Sequence, residues 1–263
     1  PKFVLAYYNR ALAYRDKGEL DKAIADYSEV IRLNPKDAEA YCNRSVAYKK
    51  RGDLDKALAD CDAAIQLSPT YADAYCIRGN IHKQRGALDT ALADYDEAIK
   101  LDPKFAPAYN NRGNAHAAKA NADKALADYA EAIKLDPTFA PAYYNRGNLY
   151  AVKGELDKAI ADYDEAVRLS PKDGEAYAKR GAAHERKNDL VRANAAAIVL
   201  DHQLDPAGAA GEGEVECAAV GHGVHGVADD VDDDAADLVG IEQGVGHMCD
   251  VLDDGDLAFG KLG

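Results

Sequence analysis

The chain has 263 residues, 48% of them hydrophobic, and a formal net charge of −14. That length accommodates one or two domains, and the absence of any run of eighteen apolar residues argues against a membrane-spanning helix. The five cysteines show no metal-ligand or CxxC spacing and are an odd number, so neither a zinc site nor a disulfide framework is expected.

The charge is unevenly placed. Residues 1–200 carry 31 Lys and Arg against 30 Asp and Glu, whereas residues 201–263 carry a single basic residue, Lys261, against 16 acids. Two kinds of sequence therefore meet, near residue 194. The first residue is Pro1, so the chain reads as a processed product or a fragment. A cytoplasmic location is expected, with a secreted or periplasmic one as the other reading.

Prolines at 1, 35, 69, 103, 137 and 171 are evenly spaced, and a constant period of this size marks stacked supersecondary units. Six units follow in chain order: 4–37, 38–71, 72–105, 106–139, 140–173 and an incomplete one at 174–193. In the fifth, Tyr143, Gly147 and Tyr150 form one stripe of a first helix. "KGELDK" supplies a turn at Gly154. Leu156, Ala159, Ile160, Tyr163, Ala166 and Val167 form one stripe of a second helix, and Pro171 ends it. The fourth unit has Ala120 and Ala122 where others have Gly and Leu, which predicts a looser turn. The sixth loses its second-helix stripe after Ala193.

This pattern resembles the tetratricopeptide repeat, a helix–turn–helix unit of about 34 residues, with tyrosine in place of the tryptophan that often opens such repeats. The resemblance implies an all-α, right-handed superhelical solenoid of antiparallel helix pairs, with first helices lining a concave groove. It also implies a binding scaffold rather than an enzyme.

Two charged columns accompany the stripes. Arg10, Arg44, Arg78, Arg112, Arg146 and Arg180 recur in the first helices, and Asp26, Asp60, Asp94, Asp128 and Asp162 in the second. Their joint recurrence predicts that each Arg meets an Asp across packed helices, leaving Arg180 without that partner because Ala196 stands in the sixth copy.

At 100° per residue, Asn145 lies about 200° and Asn148 about 140° from Tyr143, on the face that lines the groove in this family. Asn9, Asn43, Asn111 and Asn145 match the family's asparagine ladder. Asn80, Asn114 and Asn148 occupy the next column, and Asn110 and Tyr144 flank the ladder. Each carboxamide offers a donor and an acceptor, which suits an extended peptide backbone. Solvated helix-surface residues are the alternative reading. The flanking places hold Tyr8, Cys42, Cys76, Asn110 and Tyr144 rather than lysines, so a clamp for C-terminal carboxylates is not expected. Lys49, Lys50, Arg51, Lys83 and Arg85 make the second and third repeats locally basic, as cations at helix C-termini do.

Residues 194–263 break the period. GxGxxG at Gly221, Gly223 and Gly226 precedes an Asp run that would repel a pyrophosphate, and too little chain follows for a nucleotide-binding sheet. His222, His225 and His247 match no ligand spacing. This tail reads either as an acidic disordered extension or as an aberrant reading frame, since Val, Ala, Asp, Glu and Gly dominate it from 201 onward. No nucleophile–base pair, metal set or phosphate loop is present, so no cofactor, metal or nucleic-acid partner is expected. A protein or peptide partner is expected instead. The alternatives are a structural array that self-associates through its ends and the non-catalytic arm of a larger enzyme.

Overall fold

The computed structural model describes residues 2–204, which are helical throughout apart from short turns. The expectations placed on the acidic tail beyond them, its glycine and histidine motifs included, lie outside the described residues. Ten helices form five antiparallel pairs: α1 (Lys2–Asp16) with α2 (Leu20–Leu33), α3 (Ala38–Arg51) with α4 (Leu54–Leu67), α5 (Ala72–Gln84) with α6 (Leu88–Leu101), α7 (Ala106–Ala118) with α8 (Ala122–Leu135), and α9 (Ala140–Lys153) with α10 (Leu156–Leu169). An eleventh, α11, runs unbroken from Gly174 to Leu204. It passes through Asn188, the place equivalent to Gly154, without turning. Residues 1–184 form one compact unit, and the packing described below belongs to it.

Each pair closes through a residue in the left-handed region. Gly18, Gly52, Gly86 and Gly154 have φ of 74°, 91°, 76° and 78°, which glycine adopts without a Cβ penalty. The fourth pair corrects the expectation of a looser turn. Ala120 takes φ 58°, and Asn121 N–H bonds the His116 carbonyl at 2.9 Å, as Ala87 N–H bonds that of His82 at 2.9 Å. Packing of α7 on α8 holds the turn closed, and the alanine bears the strain instead.

Within a pair, small meets large. Tyr27, Tyr95, Tyr129 and Tyr163 of the second helices are buried. A Cβ added at Gly79, Gly113 or Gly147 would lie 2.7, 2.7 or 2.9 Å from the tyrosine ring opposite, so glycine sets how closely the helices approach. Ala11 and Ser45 stand at that place in the first two repeats. Ser45 faces the smaller Cys61, with the thiol 3.3 Å from its hydroxyl.

Between pairs, the second helix of one repeat packs on the first helix of the next. Val30 and Ile31 cluster with Ala40, Ala64 with Ala74, and Ala132 with Ala142. First helices also touch the following first helix, as α3 touches α5, α5 touches α7 and α7 touches α9. Second helices of the described repeats show no matching set of contacts with one another. The stack therefore curves with its first helices inside.

Candidate interaction surface of the repeat array

The charged columns meet as their periodicity predicts. Arg10, Arg44, Arg78, Arg112 and Arg146 each engage the second-helix aspartate of their own repeat through Nε and Nη2, at 2.6–3.3 Å. The fork geometry matches a carboxylate's two oxygens. These aspartates are almost fully buried. Their partners raise the arginine pKa values further, through the hydrogen bond to the carboxylate first, so the cations stay charged.

A second half of this arrangement is absent from the sequence reading. Nη1 reaches back to the preceding repeat. Arg44 bonds Ser28 at 3.0 Å, Arg78 bonds Asp62 at 2.7 Å, and Arg112 bonds Asp96 at 2.7 Å. Arg180, for which the sequence offers no own-repeat partner, bonds Asp164 at 3.0 Å in the same way. Each of these four arginines thus ties its repeat to the one before. Arg146 finds Ala130 at the equivalent position and makes only the Asp162 half. The signal was present as a column, Ser28, Asp62, Asp96, Ala130 and Asp164, but its residues are mixed in type.

The ladder asparagines form a second seam, on the inner side. Asn43 Nδ2 donates to the Tyr8 hydroxyl at 2.7 Å, Asn111 Nδ2 contacts Cys76 Sγ at 3.5 Å, and Asn145 Nδ2 donates to Asn110 Oδ1 at 2.9 Å. Every one runs from one first helix to the preceding first helix. Asn110 Nδ2 approaches Asn111 Oδ1 at 3.4 Å, which joins the last two into a relay over three repeats. Ile77, at the ladder place of the third repeat, packs instead against the cluster of Cys42, Ala64 and Ala74. Asn110 and Asn111 are only 3% and 1% exposed, a placement the helix wheel did not anticipate. Asn9 is exposed, and Asn43 and Asn145 are half-buried.

Asn80, Asn114 and Asn148 have a different task. Their Oδ1 atoms accept the hydroxyls of Tyr95, Tyr129 and Tyr163 at 2.7, 2.8 and 2.8 Å. The wheel set these residues opposite the packing stripe, but the second helix is reached from their side of the first helix. Leu12 stands at this place in the first repeat, and the Tyr27 hydroxyl is correspondingly buried with no partner. Tyr144 is buried among Ala159, Tyr163 and Ala183, and its hydroxyl donates to Glu175 at 2.5 Å. Tyr8 makes the same bond to Glu39 at 2.6 Å. Burial, reinforced by these carboxylates, pushes both phenols above their ordinary range.

Arg15 is a further inner-face residue that sequence reasoning passed over. It is buried and donates Nη1 to Asn43 Oδ1 at 3.0 Å. Arg15, Lys49 and Lys83 recur at the repeat period, a column that could have been read. Among the described residues no group of three His, Cys, Asp or Glu could hold a metal ion, and no helix is long and apolar enough to cross a membrane.

Family comparison agrees with this architecture. Models described as "TPR repeat" match residues 11–51, 79–119 and 121–154, and the "Tetratricopeptide repeat" model matches 38–71 and 140–173. The chain belongs to the tetratricopeptide repeat (TPR) family. It is a TPR array of the protein-interaction type, and the all-α solenoid expected from the sequence is the fold observed. The solved structure of TTC0263, a thermophilic TPR protein of Thermus thermophilus, is similar at TM-score 0.62 and 24% identity, over 68% of this chain and 98% of that one. The MamA crystal structure is similar at TM-score 0.50 and 27% identity, over 63% of this chain and 96% of that one. Comparison with curated protein sequences gives no match.

Proposed function

We propose that this TPR array binds an extended peptide segment of a protein partner along its inner, first-helix face. The observation that carries the reading is a complementary pair of amide edges on adjacent repeats. Asn145 uses Nδ2 to reach Asn110, while Asn114 uses Oδ1 to receive Tyr129. Among the described bonds, the Asn145 carbonyl and the Asn114 amide nitrogen are uncommitted, and both residues are half-buried rather than closed off. An acceptor and a donor one repeat apart are what an extended backbone, with its alternating N–H and C=O groups, can bridge.

In this reading Asn9, Asn43 and Asn148 continue the polar strip. Asn80, Asn110, Asn111 and Tyr144 hold its floor in place, because their bonds tie each first helix to its neighbours. Recognition of backbone rather than side chains would make the site tolerant of sequence.

The test is selection of peptides from a random display library on the full chain, followed by affinity measurement. The Asn114→Ala/Asn145→Ala variant should bind the selected peptides at least about tenfold more weakly, the loss of two buried hydrogen bonds. N-methylation of single backbone nitrogens in the peptide should do the same. Peptides bound equally well by the double variant would refute the inner-face reading.

A further inference from the structure

We infer that the inner face takes a peptide of two halves: alternating basic and acidic residues over the second and third repeats, and small uncharged residues over the fourth and fifth. The inference rests on the inner-face peptide reading and supplies the chemistry of its ligand.

The first helices run parallel, because short turns set each antiparallel to the second helix on either side. Their N-terminal turns therefore form one edge of the inner face, and their C-terminal turns form the other. In the second and third repeats these edges carry opposite charge. Glu39 and Asp73 stand at equivalent places in the first turns of α3 and α5, and Lys49, Lys50 and Lys83 stand in the last turns. Both places belong to the inner seam. Glu39 accepts the hydroxyl of Tyr8, the phenol that Asn43 also reaches. Lys49 and Lys83 share the column of Arg15, whose guanidinium bonds Asn43. Glu39 and Lys50 are exposed, and Asp73 and Lys83 are half-buried. Burial first, and then the like charges of Asp102 and Glu39, raise the Asp73 carboxyl above the usual carboxylate range. A cation brought by a ligand would relieve that repulsion.

The charged edges end with the third repeat. At the place of Glu39 and Asp73 the next two first helices have Pro107 and Pro141. At the place of Lys49 and Lys83 they have Ala117 and Ala151, and at that of Lys50 they have Ala118 and Val152. Val152 is 79% exposed, so this edge changes from cationic to apolar. In the first repeat Arg15 is offset by Asp16, 3.1 Å away.

An extended chain sends successive side chains to opposite sides. With its backbone over the asparagine ladder, one set faces the acidic edge and the other set the basic edge. Asn43 lies four residues from Glu39, and Val46 four from Lys50. Four residues are about 6 Å of helix, within reach of a lysine or glutamate side chain. Neighbouring helices pack roughly 10 Å apart, which is about three residues of extended chain. The second and third repeats thus span about six residues. A block of like charges would set part of them against an edge of their own sign, whereas alternation satisfies both edges together.

The probes are two fluorescein-labelled peptides of identical composition. One begins Lys-Glu-Lys-Glu-Lys-Glu, the other Lys-Lys-Lys-Glu-Glu-Glu, and both end Val-Ala-Ser-Ala-Val-Ala. Each is also made with its halves exchanged, so that either chain direction is sampled. In one of the two orders the alternating peptide should bind the full chain roughly three- to tenfold more tightly than the block peptide, the sum of a few exposed ion pairs. Added salt should narrow the gap. Asp73→Asn/Lys83→Gln in the protein, with an unchanged melting curve, should narrow it as well. Equal binding of alternating and block peptides, both weakened by Asn114→Ala/Asn145→Ala, would overturn the charge pattern and leave the peptide reading standing. No saturable binding by any of the four peptides would likewise overturn this proposal alone. Binding indifferent to Asn114→Ala/Asn145→Ala would overturn the peptide reading, and this proposal with it.

Discussion

The hydroxyl of Tyr163 donates to Asn148 Oδ1 at 2.8 Å, whereas the hydroxyl of Tyr27, its equivalent in the first repeat, is buried without a partner. The difference is one residue, Leu12 in place of asparagine. An unsatisfied buried hydroxyl costs free energy, and a satisfied one contributes. Tyr27→Phe should therefore stabilise the chain by about 1 kcal/mol, and Tyr163→Phe should destabilise it by about the same amount. Urea midpoints of the two variants should move in opposite directions. Equal shifts would show that the Asn148 bond contributes nothing.

The arginine clamps have halves of unequal weight. Asp128 is buried, so Asp128→Ala would leave Arg112 with the exposed Asp96 as its remaining carboxylate and should cost about 2–3 kcal/mol, allowing for the arginine's partial exposure. Asp96 is exposed, and Asp96→Ala should cost only about 0.3–1 kcal/mol. Conversely, Ala130→Asp would give Arg146 the second carboxylate it lacks and should stabilise by about 0.3–1 kcal/mol, an effect that fades in high salt. Denaturation with and without added salt distinguishes these outcomes.

Ala120 holds φ 58°, where an L-residue's Cβ crowds the carbonyl that follows. Ala120→Gly should relieve this and raise stability by up to about 1 kcal/mol, less whatever glycine's greater freedom in the unfolded chain removes. The same exchange at Ala127, exposed in the interior of α8, should instead lose about 1 kcal/mol. A thermal shift of the same sign in both variants would contradict the strain at Ala120.

Burial lowers the pKa of His116, with the Asp128 carboxylate opposing it, and its Nδ1 is buried without a partner. A histidine whose folded pKa is depressed binds fewer protons folded than unfolded. Above its unfolded pKa of about 6.5 it adds no pH dependence. As pH falls through that value toward the lower folded one, the unfolded chain takes up the proton first, and stability declines. The melting temperature should thus fall between pH 7 and pH 5, with a shallower slope in His116→Asn. An identical slope in the variant would remove His116 from the account.

Burial also pushes the Cys61 thiol up to about 12, and Cys42 is buried with its pKa raised in the same direction. Thiolate is the reactive form. Peptide-mapped mass spectrometry should therefore find both unalkylated by iodoacetamide at pH 8 in the native chain and labelled in denaturant. Native labelling as fast as in denaturant would show that the helix pairs of the first repeats open readily.

Much of this molecule was legible in one dimension because a repeat restates each packing rule once per period. The proline spacing placed the helix pairs. The recurring Ala and Tyr stripes named the core, and the joint recurrence of Arg10 to Arg146 with Asp26 to Asp162 named the bonds across each pair. These interactions lie within one repeat, so a periodic sequence carries them directly. What the sequence left open depends on how one repeat is set against the next. Whether Asn111 faces solvent or Cys76, and whether Arg180 finds Asp164, follows from the close approach of neighbouring repeats. A single helix wheel does not contain that approach. Asn80, Asn114 and Asn148 show the same limit from within a pair: the wheel fixed their angle, but only the lie of the second helix made that angle point at a tyrosine hydroxyl. Local periodicity fixed the fold, and the division of the asparagines between seam, core and inner surface was decided by tertiary packing, which alone sets the distances over which a carboxamide can bond.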